Sequence, residues 1–243
     1  MTRAFPMVVR MAMSTFDRPL RIHAAMGFGR SYGKESRFLT KKYLGIFQSG
    51  IWNALDQEKC LSSTAFLTDI GNDLAYEVPV EQLVEWVEAC VNRLQSINAK
   101  VVLTDVPLNV LRAVGEMRFR LLRTILFPQC RLTWRELFAR AERLSERLDE
   151  LAETRKIPIF SGDSAWYGWD PIHPRRAHLT RIWRELFQRA ELVEAQSPTR
   201  NKRFLFDWYL RGLCCEKWSS LSISWRAAQP NGRLIDGTKI ALY

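Results

Sequence analysis

The amino-acid sequence predicts an α/β protein, a three-layer α/β/α sandwich whose central sheet has about five parallel strands. Three observations predict this class. Of the 243 residues, 47% are hydrophobic, which is enough for a sizeable core. Short apolar runs alternate with amphipathic segments, the order typical of a parallel sheet covered by helices. Residues 80–97 carry apolar side chains at helical spacing, at positions 83, 84, 87, 90, 91, 94 and 97.

Five short apolar runs are predicted as strands, and the first of them runs into the Gly-rich turn GFGRSYG. These strands are predicted within 20–29, 45–55, 63–70, 99–108 and 156–163. Amphipathic patterns between and after them predict helices over 34–44, 80–97, 109–126, 133–155 and 174–193. Because ligands of such folds gather at the carboxyl ends of parallel strands, the segments that follow the strands are the first candidates for a functional site.

Residues 1–196 are predicted to form the α/β/α domain, and residues 197–243 a C-terminal extension packed on it. The extension is rich in Trp and Arg and ends in GRLIDGTKIALY. Asp236 and Gly237 lie between two β-prone runs, which predicts a β-hairpin. We interpret this segment as a lid, an edge hairpin or a partner-binding extension.

The charge of the chain points to an anionic partner. The formal net charge is +10 at pH 7, and basic residues cluster in RFRLLR (118–123), RRAHLTRIWR (175–184) and RNKR (200–203). Such a surface attracts nucleic acid, anionic lipid or acidic substrates. The alternative is a solvated, Arg-rich face without a partner, because these clusters mostly lie on segments predicted as amphipathic helices.

Other features exclude several classes of protein. The five cysteines include no CxxC pair, which indicates neither a disulfide framework nor a zinc site, and no other metal site is expected. No apolar run approaches the roughly 18 residues that a transmembrane helix needs. The first twenty residues carry Arg10 inside their apolar stretch and make a poor signal peptide. The expectation is a soluble, cytoplasmic protein.

Two strand ends carry polar residues that suit acyl-transfer chemistry. Ser31 lies in the Gly-rich turn after the first strand, where a nucleophile would be exposed close to backbone N–H groups, although serine in such a turn also serves as a cap. Asn72 follows the third strand in DIGND. Its amide is a neutral donor suited to a developing oxyanion, and the alternative is an ordinary turn residue.

A third strand end carries a candidate general base. His173 lies three residues after Asp170 in WDPIHPRR, between two prolines that stiffen the loop. An aspartate at this spacing can accept a hydrogen bond from Nδ1 and leave Nε2 to act as a base. The aromatic residues Trp166, Tyr167 and Trp169 crowd the same loop, and they form either one wall of a substrate pocket or ordinary packing.

The order of these three blocks resembles that of the SGNH (GDSL-like) hydrolases. The resemblance covers roughly residues 20–190 and is carried by GRS around Ser31, GND at 71–73 and DPIH at 170–173. It implies a flavodoxin-like sheet and an activity on esters. It also implies that Ser31 is the nucleophile, that His173 and Asp170 are the base and the acid, and that Asn72 lines the oxyanion hole.

The sequence departs from the family pattern at the first two blocks. Arg30 stands where the family has aspartate. It either pairs with a nearby acid, Asp73 being the nearest candidate, as a structural brace, or faces the pocket and selects anionic substrates. The second oxyanion donor corresponds to Gly50 or to Asn53. A true GDS occurs at 162–164, but we interpret Ser164 as a coincidence, because it follows the last strand, where the family keeps its acid and base.

The leading hypothesis is therefore a cofactor-independent serine hydrolase that acts on a small-molecule or carbohydrate ester. Ser31, His173 and Asp170 would form the triad, and the backbone N–H groups of Ser31 and Gly50 would bind the oxyanion together with Asn72. The alternative is a non-catalytic binding protein of the same fold that holds an anionic partner through its basic surface.

Overall fold

The structure, a computed structural model, describes residues 3–38, 41–58, 62–192, 203–220 and 223–243. The chain divides into two compact units. One unit comprises Met1–Lys59 and Glu191–Tyr243, and the other comprises Cys60–Ala190. Both contain helices and strands, so the predicted α/β class is confirmed. The predicted boundary between residues 196 and 197 lies outside the described residues.

Within the described ranges, the α-helices and the strands are numbered separately, each in chain order. The helices are α1 (Phe5–Thr15), α2 (Ile51–Gln57), α3 (Val80–Ser96), α4 (Leu108–Arg112), α5 (Glu116–Leu126), α6 (Trp134–Arg155), α7 (Leu179–Arg189) and α8 (Arg203–Gly212). The strands are β1 (Arg21–Ala24), β2 (Ser36–Phe38), β3 (Lys41–Tyr43), β4 (Ser63–Leu67), β5 (Ala99–Thr104), β6 (Ile159–Phe160), β7 (Lys217–Ser220), β8 (Ile223–Arg226), β9 (Gly232–Arg233) and β10 (Lys239–Leu242).

The unit of residues 60–190 is built on a parallel sheet in the order β4-β5-β6. Ser63 pairs with Ala99 and Leu103 pairs with Ile159, so all three strands point the same way and their carboxyl ends share one edge. The apolar run of β5 is buried, as expected for a strand covered on both faces. The loops that follow Leu67 of β4, Thr104 of β5 and Phe160 of β6 therefore lie side by side at this edge.

The helices of this unit bury the stripes that their spacing predicts. In α3 the apolar side chains at positions 83, 84, 87, 90, 91 and 94 are buried, and the helix packs on β5 and on α6. Helix α6 begins with a capping box in which Thr133 and Glu136 bond each other's backbone N–H groups. Helix α7 lies against the ring of Phe66 on β4.

The other unit contains two further sheets. One has the order β1-β10-β9 and the other β2-β3-β7-β8. Helices α1 and α8 pack together over the first of these sheets, around a core that includes Phe5, Val9, Leu210 and Ile240. Around Asp236-Gly237, strands β9 and β10 are antiparallel, and Gly237 has the positive φ of 85° that the turn requires.

The predicted sheet of about five parallel strands is not what the structure has. Among the residues that the structure describes, only β4, β5 and β6 form a wholly parallel sheet. The first predicted strand, β1, instead pairs in parallel with β10 from the opposite end of the chain. The reason is burial, because Ile240, Ala241 and Leu242 of β10 are almost completely inaccessible and supply β1 with an apolar partner.

Two local predictions were also wrong. Residues 34–44 were predicted as a helix but contain the antiparallel strands β2 and β3, because β3 pairs with the distant strand β7 and this pairing overrides a helix-compatible pattern. Residues 45–55 were predicted to contain a strand but form a 3₁₀ turn at Ile46–Gln48 followed by α2. The Trp52 indole N–H donates to the Ile46 carbonyl at 3.0 Å and ties the turn to the helix.

Candidate active site

The carboxyl edge of the β4-β5-β6 sheet gathers polar side chains from three loops. After β4 the chain passes Asp69, in the left-handed conformation, into a 3₁₀ segment that contains Asn72. After β5 comes Asp105, and after β6 comes the long loop that carries Asp170 and His173. The parallel register therefore brings the second and third predicted blocks to one edge of one sheet.

Asp170 and His173 form the pair that the sequence predicts. His173 Nδ1 lies 2.8 Å from Asp170 Oδ2, and Asp170 Oδ1 accepts hydrogen bonds from the backbone N–H groups of Ile172 at 2.9 Å and His173 at 3.3 Å. Both side chains are a little over one-third exposed. The aspartate thus fixes the imidazole orientation and leaves Nε2 as the ring nitrogen for proton transfer.

The electrostatics of the pair favour an ionised aspartate. Burial by itself would raise the pKa of Asp170. The hydrogen bond and charge of His173, together with the two backbone N–H donors, outweigh burial and hold this pKa below its ordinary value. A carboxylate kept ionised in this position would stabilise an imidazolium formed during a reaction.

Asn72 lies near the start of the 3₁₀ segment at the end of β4. Its backbone N–H donates to the Asp69 carbonyl at 3.3 Å, and its side chain is partly exposed. To the other residues that the structure describes, the Asn72 side-chain amide makes no hydrogen bond. The amide is therefore available to a ligand at the sheet edge.

The three aromatic residues of the His173 loop have different surroundings. Trp166 is 4% exposed and stacks on Phe160, so it is packing material. Tyr167 is partly buried, and burial together with the charge of Asp69 raises its pKa to about 12. Trp169 is 59% exposed, and its carbonyl accepts a hydrogen bond from Arg118 at 2.8 Å. Of these three aromatic side chains, only that of Trp169 is exposed enough to offer a large contact surface to a substrate.

One cluster at this edge was missed by the sequence reasoning. Asp105, at the end of β5, accepts hydrogen bonds on Oδ2 from Ser145 at 2.9 Å and Ser161 at 3.2 Å, and on Oδ1 from the Val106 N–H at 2.6 Å. The signal that could have found it is an aspartate directly after a β-branched strand. The partner serine on α6 had no sequence signal. This cluster joins the loops after β5 and β6.

Ser31 belongs to the other unit, and its hydroxyl is engaged in the local turn. The residue is 0% exposed, and Oγ accepts hydrogen bonds from the backbone N–H groups of Gly33 at 3.2 Å and Lys34 at 2.8 Å. The Ser31 N–H in turn donates to Ser36 Oγ at 3.3 Å. This is the geometry of a serine that caps a turn.

Arg30 is also buried, at 4% exposed, and points its guanidinium at backbone carbonyls. It donates to Leu44 at 2.9 Å, to Met26 at 3.4 Å and to the Tyr243 backbone oxygen. Burial lowers the pKa of Arg30 to about 10. These contacts are those of a brace between loops.

The two candidates for a second oxyanion donor also lie in this unit. Gly50 is the N-cap of α2, and the Glu216 carboxylate lies so close to it that a Cβ at this position would collide with the carboxylate. Asn53 is exposed on α2. In the unit of residues 60–190, Ser164 begins a 3₁₀ turn whose backbone is capped by Asp163, a structural use of the GDS sequence.

No family model, no curated protein and no solved structure matches this chain. Within the described ranges, no group of three or more His, Cys, Asp and Glu side chains is arranged to hold a metal ion. In the same ranges, every helix is too short or too polar to cross a lipid bilayer.

Proposed function

We propose that the protein is a serine hydrolase of the SGNH type that cleaves an ester. The observation that carries the proposal is the Asp170–His173 pair, with its 2.8 Å hydrogen bond, at the carboxyl edge of a parallel sheet. Asn72, on a neighbouring loop of the same edge, adds a neutral donor for an oxyanion. The ester is a small-molecule or carbohydrate ester.

In the proposed mechanism, His173 Nε2 removes the proton from the nucleophilic serine while the serine Oγ attacks the ester carbonyl carbon. The carbonyl oxygen becomes an oxyanion, which the Asn72 amide stabilises with backbone N–H donors. The imidazolium, stabilised by Asp170, then protonates the departing alcohol. Water, deprotonated by His173, attacks the acyl-enzyme, and the acid leaves as the serine regains its proton.

A second candidate function is favoured by the surroundings of Ser31. Its Oγ is buried and already accepts two backbone hydrogen bonds, as a structural serine does. On this reading the protein is a binding protein that holds an anionic partner by its basic surface, consistent with the net charge of +10. The nucleophile role of Ser31 rests on the family resemblance, and its reactivity decides between the two functions.

A fluorophosphonate probe, which reacts with activated serine hydroxyls, tests the proposal. We expect labelling of the wild-type protein, its loss in Ser31→Ala and in His173→Ala, and its retention in Ser164→Ala, the control serine of the GDS sequence. Peptide mapping of the labelled protein identifies the modified residue. Labelling that survives Ser31→Ala would refute Ser31 as the nucleophile, and no labelling of the wild type would favour the binding protein.

A further inference from the structure

Helix α8 is apolar on two opposite faces. Phe206 and Leu210 point into the core of their unit, where Leu210 is 1% exposed. On the outward side, Phe204, Leu205 and Trp208 are 81%, 72% and 73% exposed. A helix that is apolar all round normally has both faces covered, and exposed apolar patches mark interaction surfaces. We call these three side chains the α8 patch.

The helix is fixed so that the α8 patch stays outward. Asp207 pairs with Arg10 on α1. The Tyr209 hydroxyl donates to the Arg233 carbonyl at 3.1 Å and accepts from the Arg233 N–H at 2.8 Å, which fastens the helix to β9. Turning the patch inward would break these contacts and expose Leu210. The exposure is therefore built into the fold of this unit.

Charge on the helix complements an anionic surface. Arg211 is exposed and lies seven residues after Phe204, two helical turns along the same side. Asp207 is the only acidic residue of α8, and its pairing with Arg10 neutralises it. The sequence immediately before and into the helix reads RNKR, and the whole chain carries +10. Within α8, therefore, no unpaired acidic side chain offsets the charge of Arg211 beside the patch.

We propose that α8 docks on an anionic membrane surface, lying in the interface with the α8 patch among the lipid headgroups and Arg211 near lipid phosphates. Interfacial helices combine an apolar face containing Trp, Phe or Leu with basic residues and lie in the membrane plane. Tryptophan suits this place because its ring is apolar and its N–H is polar. Anionic lipids add an electrostatic attraction for each nearby Lys or Arg.

A second copy of the chain fits the patch less well. Three side chains of these sizes and exposures offer on the order of 450 Å². A stable dimer buries about 800 Å² on each subunit, with few charged residues at its centre. The patch is therefore small for a dimer but sufficient for reversible insertion into a bilayer interface.

Co-sedimentation with vesicles tests the proposal on the full chain. We compare vesicles of phosphatidylcholine alone with vesicles that also contain phosphatidylglycerol. The test variant is Phe204→Ser/Leu205→Ser/Trp208→Ser. The matched control is Met117→Ser/Leu121→Ser/Ile125→Ser, which removes three exposed apolar side chains at regular helical spacing on α5. Circular dichroism checks that both variants fold, and Trp208→Ser alone serves as a milder variant.

We expect the wild type to bind the anionic vesicles, and the binding to weaken at high salt because screening shortens the reach of lipid charges. The α8 variant should lose at least about tenfold in partition coefficient, Trp208→Ser a smaller part, and the α5 variant less than about twofold. The proposal is overturned by unchanged binding of the α8 variant, by equal losses in both triple variants, or by absence of wild-type binding. The proposal would also be overturned if light scattering showed that the wild type is a dimer and that the α8 triple variant is a monomer. None of these readouts depends on ester hydrolysis.

Discussion

Replacing Arg30 by methionine tests whether this residue is a brace. In the wild type the buried guanidinium donates to the backbone oxygens of Leu44, Met26 and Tyr243, and it lies 5.8 Å from the centre of the Tyr43 ring. Methionine keeps much of the bulk but has no donor. The substitution therefore leaves these three backbone oxygens without their charged partner, and the Tyr243 oxygen lies in a buried region.

The expected loss of stability follows from these contacts. Hydrogen bonds from a charged donor contribute about 1.5–3 kcal/mol each. The bond to Met26, at 3.4 Å, is long and contributes less. Methionine offsets part of the loss, because it avoids the cost of burying a cation. A net loss of about 3 kcal/mol corresponds to a fall in Tm of about 6–12 °C for a chain of this length.

Thermal denaturation followed by circular dichroism measures this loss. Arg30→Lys should lie between the wild type and Arg30→Met, because an ammonium keeps the charge but lacks the planar fork. Arg226→Met, at an exposed arginine on β8, is the control and should change stability by less than about 0.5 kcal/mol. An unchanged or raised Tm in Arg30→Met would refute the brace. A selective rise in KM for anionic esters would show substrate selection instead.

Three other predictions concern the sheet edge and the nucleophile. On an ester that proves to be a substrate, Ser31→Ala and His173→Ala should each abolish most turnover, and the double variant should lose little more; additive losses from these two substitutions would argue against a shared mechanism. Asn72→Ala should lower kcat by a factor of roughly 10²–10³. Because the folded-state pKa of Asp170 is lowered, its carboxylate stabilises the fold above the ordinary pKa of about 3.9 and ceases to do so as the pH falls through the folded value. Urea denaturation should therefore find Asp170→Asn less stable than the wild type near neutral pH, with the difference shrinking in acid; a difference that grows in acid would contradict this sign. Ser145→Ala removes a buried donor to the aspartate at the end of β5 and should cost about 1 kcal/mol in urea denaturation, and a neutral result would mean that the remaining donors suffice.

The sequence by itself determined the features that depend on neighbouring residues. The apolar spacing of α3 and the β-branched run of β5 fix these elements locally, because α3 buries one continuous stripe and the apolar run of β5 is buried on both faces. The hairpin at Asp236-Gly237 follows from turn chemistry. The contact between Asp170 and His173 also follows from the sequence. The two residues are three positions apart, and the prolines on either side of His173 restrict the loop backbone, so their side chains have little freedom to separate.

Only the tertiary structure decided which distant segments pair. Strands β2 and β3 form because β7 supplies hydrogen bonds to β3 from a distant part of the chain, and β1 likewise joins the distant strand β10. The Tyr243 backbone oxygen that accepts from Arg30 is likewise remote in sequence. Local patterns carry no information about such partners, because an apolar strand satisfies its backbone and buries its surface equally well against any suitable edge. The choice is made by the sum of burial over the whole fold.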